Sequence, residues 1–245
     1  MIRVGSLQFE YDGTPVLRDV SFTVPRGTTY AIVGPSGCGK STLLHLLAGL
    51  HKPTRGTISV DGVPLASPRD GTAIIFQDGG LFPWKSAIEN AALGLVARGV
   101  PGAEARTRAM KTLEDLGVGH RSDAYPAAMS GGEVQRTALT RALVLEPDLL
   151  LMDEPAASLD AIARERIQDL VLKQFSDRDL TIVVVTHNIE EAVAFGQRIA
   201  VTGGGEILDE IDNRAFEIRP QRTSAIFVAV CDQVRRRLTE VDGGG

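Results

Sequence analysis

The chain is short of several things at once, and each shortage removes a class of answer. Its 245 residues include only two cysteines, Cys38 and Cys231, which excludes a disulfide framework and fits a reducing compartment. No apolar run reaches the length of a membrane-spanning helix. The nearest, AALGLVARGV, is cut by Gly94, Arg98 and Gly99. The first residues, MIRVGSLQFEYDG, lack the apolar core of a secretory signal. Positive charge is in deficit: 26 Lys and Arg stand against 31 Asp and Glu, for a net charge of −5. Bulk electrostatics therefore do not favour nucleic acid, and no nucleic-acid partner is expected. There is no tandem repeat, and no low-complexity segment beyond Gly203 to Gly205 and the last three glycines. The expectation is a cytoplasmic chain that reaches a membrane, if at all, through a partner.

What is present is a core-forming composition, 43% hydrophobic, in a chain long enough for one large domain and a smaller subdomain. Four apolar segments stand out: TYAIV at 29–33, TAIIF at 72–76, LLLM at 149–152 and TIVVV at 181–185. Unbroken runs of this length suit parallel strands covered on both faces. Helical patterns at 40–50, 103–116, 133–145 and 161–175 alternate with them. This predicts an α/β fold with a mainly parallel sheet. The first thirty residues alternate and turn like antiparallel strands, predicting an N-terminal antiparallel β subdomain. The span 88–142 is mostly helical and falls between two sheet strands, as an inserted helical subdomain would. The expected core domain is 1–213, followed by a helical tail at 214–245 to which the sequence assigns no function.

Each apolar segment runs into a residue with chemical potential. Val33 leads to Gly34, Phe76 to Gln77, Met152 to Asp153 and Glu154, and Val185 through Thr186 to His187. Ligand sites collect at the carboxyl edge of parallel strands, so these residues are expected to converge.

The segment GPSGCGKST comprises Gly34, Pro35, Ser36, Gly37, Cys38, Gly39, Lys40, Ser41 and Thr42. It fits a phosphate-binding loop, follows a strand and opens a helix. Its glycines let backbone amides wrap a polyphosphate, Lys40 supplies a mobile point charge, and the Ser41 hydroxyl suits Mg2+. Kinases, GTPases, motors and transport ATPases all use this device. Asp153 is suited to Mg2+, and Glu154 to taking a proton from attacking water, which favours hydrolysis over transfer. Gln77 is placed to reach Mg2+ or the water. His187 is placed to bond the terminal phosphate and sense its loss.

A second phosphate-binding start is MSGGEVQR, Met129 to Arg136, with a serine and two glycines before a helical pattern. In order, GPSGCGKST, MSGGEVQR, LLLMDEPAASLD and VVVTHN resemble the ATP-binding subunit of ABC transporters, from about Val4 to Asp209. The resemblance makes Ser130, Gly131, Gly132 and Glu133 the signature motif. It implies that two ATPase subunits, identical or close paralogues, pack head to tail. Each ATP then lies between one phosphate loop and the other subunit's signature. It makes Tyr11 the aromatic that stacks on adenine, Asp160 the loop acid that meets the opposite subunit, and His187 the switch histidine. Gln77 begins the segment linking Mg2+ to the membrane partner. Two positions depart from the pattern. Glu133 replaces the usual glutamine and brings negative charge near ATP. Asn188 stands where aspartate commonly follows the histidine.

The stretch QDGGLFPWKSAIENAALGL carries Leu81, Phe82 and the only tryptophan, Trp84, just after Gln77. These side chains fill the helical subdomain's core, or they line a groove that receives a short permease helix. The pattern resembles importer subunits of the nitrate, sulfonate and taurine group. That implies permease subunits and an extracytoplasmic solute-binding protein as partners, with this chain at the cytoplasmic face of the membrane. An exporter ATPase or a non-transport member of the same family is the alternative.

Overall fold

The computed structural model describes residues 1–157, 159–217 and 221–242. Two sheets and seven α-helices build it. The first sheet is antiparallel, in the order β2-β1-β4-β5, from β1 (Ile2–Tyr11), β2 (Thr14–Val24), β4 (Arg55–Val60) and β5 (Val63–Pro64). The second has six strands in the order β10-β9-β3-β8-β7-β6. They are β3 (Thr29–Val33), β6 (Thr72–Ile75), β7 (Leu149–Asp153), β8 (Thr181–Thr186), β9 (Arg198–Gly203) and β10 (Glu206–Asp212). Only the β9/β10 pair of this sheet is antiparallel.

The unbroken apolar runs have a direct structural cause. Along β3, Tyr30 and Ile32 enter one core while Ala31 and Val33 enter another. The same split separates Leu149 and Leu151 from Leu150 and Met152, and Val183 and Val185 from Ile182 and Val184. Both faces are buried, so neither parity of residue may be polar. One face is covered by α1 (Lys40–Leu47) and the antiparallel sheet. The other is covered by α4 (Gly131–Leu143), α5 (Ala161–Asp177), α6 (Ile189–Phe195) and α7 (Ala225–Asp242).

Helix α2 (Ala87–Ala97) and α3 (Gly102–Asp115) make a third, smaller core with Val118 and Val144. Helix α4 belongs to both regions: it lies against α2 and α3 yet sends Ala138, Leu139, Ala142 and Leu143 into the sheet core. Helix α7 is not a loose appendage. Phe227, Val230, Cys231 and Val234 are buried in the sheet core. No described helix is long and apolar enough to cross a membrane.

Candidate functional site

Strand register brings the expected residues into line. Val33 pairs with Thr186, Asp153 with Val185, and Ile75 with Met152. Gly34, His187 and Glu154 are therefore the next residues out along one carboxyl edge, with Gln77 two residues beyond Ile75 on the neighbouring strand. Gly34 N–H donates to Thr186 O at 3.4 Å and Glu154 N–H to Val185 O at 2.9 Å, which locks these turns to the sheet.

The phosphate loop needs its glycines for two separate reasons. A Cβ on Gly34 would lie 2.3 Å from the Thr202 carbonyl oxygen, so the site is closed to any side chain. Gly39, the N-cap of α1, has φ +97°, and a Cβ there would lie 2.8 Å from Leu17. Pro35, Ser36 and Gly37 are exposed, whereas Cys38 is buried. Lys40 is only 6% exposed. Its ammonium donates to the Gly34 oxygen at 3.0 Å and the Pro35 oxygen at 2.8 Å, with Cys38 Sγ at 4.0 Å. Among the described residues it makes no ion pair. A buried cation satisfied only by carbonyls, at a helix N-terminus, is matched to an incoming polyphosphate.

Ser41 Oγ donates to Asp153 Oδ1 at 3.0 Å. Asp153 is 5% exposed, and burial pushes its carboxyl above the ordinary carboxylate range, opposed by the Ser41 hydroxyl. Two hard oxygen donors held together beside the phosphate loop fit Mg2+. Thr42 follows in the first turn of α1.

Glu154 adopts φ +45°, a left-handed conformation unusual for glutamate. Such strain at a strand end re-aims the side chain. Its Oε2 lies 2.9 Å from His187 Nδ1, with Glu154 12% and His187 51% exposed. Gln77 is exposed, and its backbone oxygen accepts from Gln135 Nε2 at 3.2 Å. Tyr11 is 44% exposed, held edge-on against Phe9 at 4.8 Å, with its hydroxyl 3.4 Å from His51 Nε2.

The signature segment does not join this cluster within one chain. Ser130 caps α4: its hydroxyl accepts from Glu133 N–H at 3.4 Å, while Glu133 Oε2 accepts from Ser130 N–H at 2.7 Å. Ser130, Gly131 and Gly132 share a cavity of about 250 Å3 with Asp160, Arg136 and Arg166. Asp160 is exposed and caps α5, its Oδ1 accepting from Ala163 N–H at 2.9 Å. No residue of the phosphate loop lines this cavity, so the two glycine-rich helix starts stand apart within one chain. Trp84 is 68% exposed and Phe82 37%, with ring centroids 5.2 Å apart, so neither fills a core; Leu81 packs against the main one.

Sequence reasoning missed the partners that hold these groups. Arg121 lies 3.4 Å from Glu133 and also donates to the Ala128 carbonyl. Arg141 donates to Gly79 and Gly80, fixing the loop after Gln77. Glu191 is buried next to the His187 turn. A capping signal, Asn188 with Glu191 three residues on, was legible; the others are long-range contacts with no local signature.

The family model described as ABC transporter matches residues 17–157. The chain belongs to the ABC transporter family. It is 41% identical to "Aliphatic sulfonates import ATP-binding protein SsuB 2" of Agrobacterium fabrum, over 93% of this chain and 85% of that protein. It is 44% identical to "Aliphatic sulfonates import ATP-binding protein SsuB" of Pseudomonas putida, over 93% and 82%. Among solved structures it resembles the dimeric, post-hydrolysis ATP-binding cassette MJ0796 bound to ADP and Pi. The TM-score is 0.80 and the identity 32%, covering 88% of this chain and 100% of that one. The chain is an importer-type ATP-binding subunit, an ATPase coupled to transport.

Proposed function

We propose that two copies of this chain, or this chain and a close paralogue, form the ATPase of an import system for small organic solutes, of which aliphatic sulfonates are the favoured class. The reading of the site rests on one observation. Gly34, Lys40, Asp153, Glu154 and His187 gather at one sheet edge, while Ser130 to Gly132 open α4 in a separate cavity that no phosphate-loop residue lines. One chain supplies two unlike half-sites, and two chains packed head to tail complete two whole ones.

In this reading Tyr11 supports the adenine and the amides of Gly34 to Thr42 wrap the phosphates. Lys40 exchanges its carbonyl partners for the outer phosphates. Ser41 and Asp153, with Gln77, would hold Mg2+, which when bound neutralises phosphate charge. Glu154 takes a proton from the water that attacks the terminal phosphorus, and His187, bonded to Glu154, holds that phosphate's oxygen. The partner's Ser130 to Gly132 amides close over the phosphate and exclude water. Asp160 meets the opposite subunit from the same cavity. Hydrolysis removes the shared phosphate, and the halves part.

We place the ATPase core at 1–213 with the insertion at about 88–142, and α7 of the 214–245 segment packs onto that core instead of hanging free of it. The exposed Phe82 and Trp84 after Gln77 supply an anchor for permease subunits, which hold the chain at the cytoplasmic face of the membrane. A solute-binding protein outside the membrane would select the cargo. The non-transport and exporter alternatives have no feature here that favours them.

Glu154→Gln is expected to lower turnover about 100-fold or more and to run as an ATP-dependent dimer on size exclusion. Lys40→Ala should lose ATP binding. Full hydrolysis by Glu154→Gln would remove the base assignment. For the cargo, deleting the chain should abolish growth on an aliphatic sulfonate as sole sulfur source, and wild type but not Lys40→Ala should restore it.

A further inference from the structure

Two carboxylates are buried among the described residues, Asp153 and Glu191. The first belongs to the Mg2+ site. Glu191, on α6, is 2% exposed and has no part in the chemistry above. Its surroundings are unusually closed. Glu191 N–H donates to Asn188 Oδ1 at 3.0 Å. Asn188 N–H donates to Thr186 Oγ1 at 3.0 Å. Thr186 Oγ1 donates to Glu191 Oε2 at 2.5 Å. The three bonds close a ring through residues 186, 188 and 191. The one residue between Thr186 and Asn188 is His187.

A surface capping motif would need only the Asn188 bond. Burying a carboxylate to complete the ring is costly, and here one oxygen, Oε1, has no hydrogen-bond partner among the described residues. Burial pushes the Glu191 carboxyl above the ordinary carboxylate range, opposed chiefly by the Thr186 hydroxyl. The charged groups that face it are Arg164 from α5, Glu154 from the turn after β7, and His187 itself. Thr186 is 1% exposed, so water does not compete for the ring. The imidazole leaving this ring is half-exposed yet meets Glu154 at 2.9 Å. A half-exposed side chain keeps a fixed partner only if its backbone is held, and the ring holds it.

We propose that Glu191 is the positioning residue for His187, fixing the 186–188 turn so that the imidazole stays in register with Glu154. This rests on the reading in which His187 and Glu154 act at the terminal phosphate. Glu191→Gln retains an acceptor for Thr186 and removes the buried acid, so it preserves the ring. Glu191→Ala and Thr186→Val each open it.

The test uses the full chain, at concentrations that allow the dimer, with kcat, KM for ATP, affinity for a fluorescent ATP analogue and Tm measured for each variant. Glu191→Ala and Thr186→Val are expected to lower kcat about tenfold or more with KM and analogue affinity unchanged. Glu191→Gln should restore most of the rate. In a His187→Ala background, Glu191→Ala should add no further loss, because it acts through the absent ring. Thr186→Val conserves volume and keeps the test available if Glu191→Ala does not fold. A lower Tm with unchanged kcat, a loss that adds to that of His187→Ala, or failure of glutamine to rescue would each overturn the proposal. If His187→Ala is itself silent, the reading of the site falls. If His187→Ala is damaging and the Glu191 variants are silent, only this inference falls.

Discussion

Glu133 stands where the family pattern has glutamine, and the structure shows how its charge is accommodated. The carboxylate accepts from Ser130 N–H, and Arg121 and His120 lie 3.4 and 3.6 Å from it. The helix start and two basic groups thus absorb the negative charge expected near ATP. The Ser130 amide, aided by Arg121 and His120, holds the Glu133 carboxyl below its ordinary range. The sign follows: the support it lends α4 is complete above the ordinary carboxylate pKa and is lost as pH falls through the lowered value. The exchange protection of Glu133 N–H and the following α4 amides, corrected for the intrinsic pH dependence of exchange, should drop in that acid window for wild type and show no such step in Glu133→Gln. An unchanged step in the glutamine variant would mean another group controls the helix start. At this scale the types and places of these residues are legible from the sequence: Gly34, Asp153, Glu154 and His187 each follow or close a strand as expected, and Lys40 opens α1. The left-handed turn of Glu154 and the Arg121 clamp were not legible, because φ and distant partners leave no local pattern.

Among elements, α1 and α7 show two kinds of dependence. Helix α1 begins where it does because Gly39 takes φ +97° against Leu17. Gly39→Ala should cost roughly 1–2 kcal/mol from the left-handed backbone alone, with further loss from the contact. Nucleotide affinity should fall together with Tm; an unchanged affinity would show that the loop tolerates a Cβ. Helix α7 is held by Phe227 and Val234, 2% and 0% exposed, against the parallel sheet. Phe227→Ala should cost about 3–5 kcal/mol as a core truncation, read by denaturant unfolding. A loss near zero would return α7 to the status of a detachable tail. The strands were legible because burial on both faces demands continuous apolar runs. Helix α6 and strand β10 carry no such signal, since α6 has seven residues and β10 alternates on a half-open edge. The N-terminal alternation marks the antiparallel β1/β2 pair, while the further partner β4 comes from 55–60, a pairing that no local pattern announces.

For the whole molecule, the separation of the two phosphate devices makes a sharp prediction. A chain carrying Lys40→Ala and a chain carrying Ser130→Arg should each be inactive alone. Mixed, they should regain ATPase activity, because a mixed dimer holds one intact loop facing one intact signature. No recovery at any ratio, with mixed dimers demonstrated by tagged co-purification, would refute the composite site. The motifs alone announced that the devices exist, through spacing and residue type: a loop that wraps phosphate needs glycines, a lysine and a helix start in immediate succession. Composition likewise determined an α/β core, because apolar runs of strand length cannot remain in water. Which groups meet was decided by tertiary structure alone. Parallel register aligned strand ends drawn from residues 33 to 186, and α4 set Ser130 in a cavity apart from the phosphate loop. Local sequence sets what each segment offers, but distances between segments far apart in the chain depend on packing that no single segment encodes.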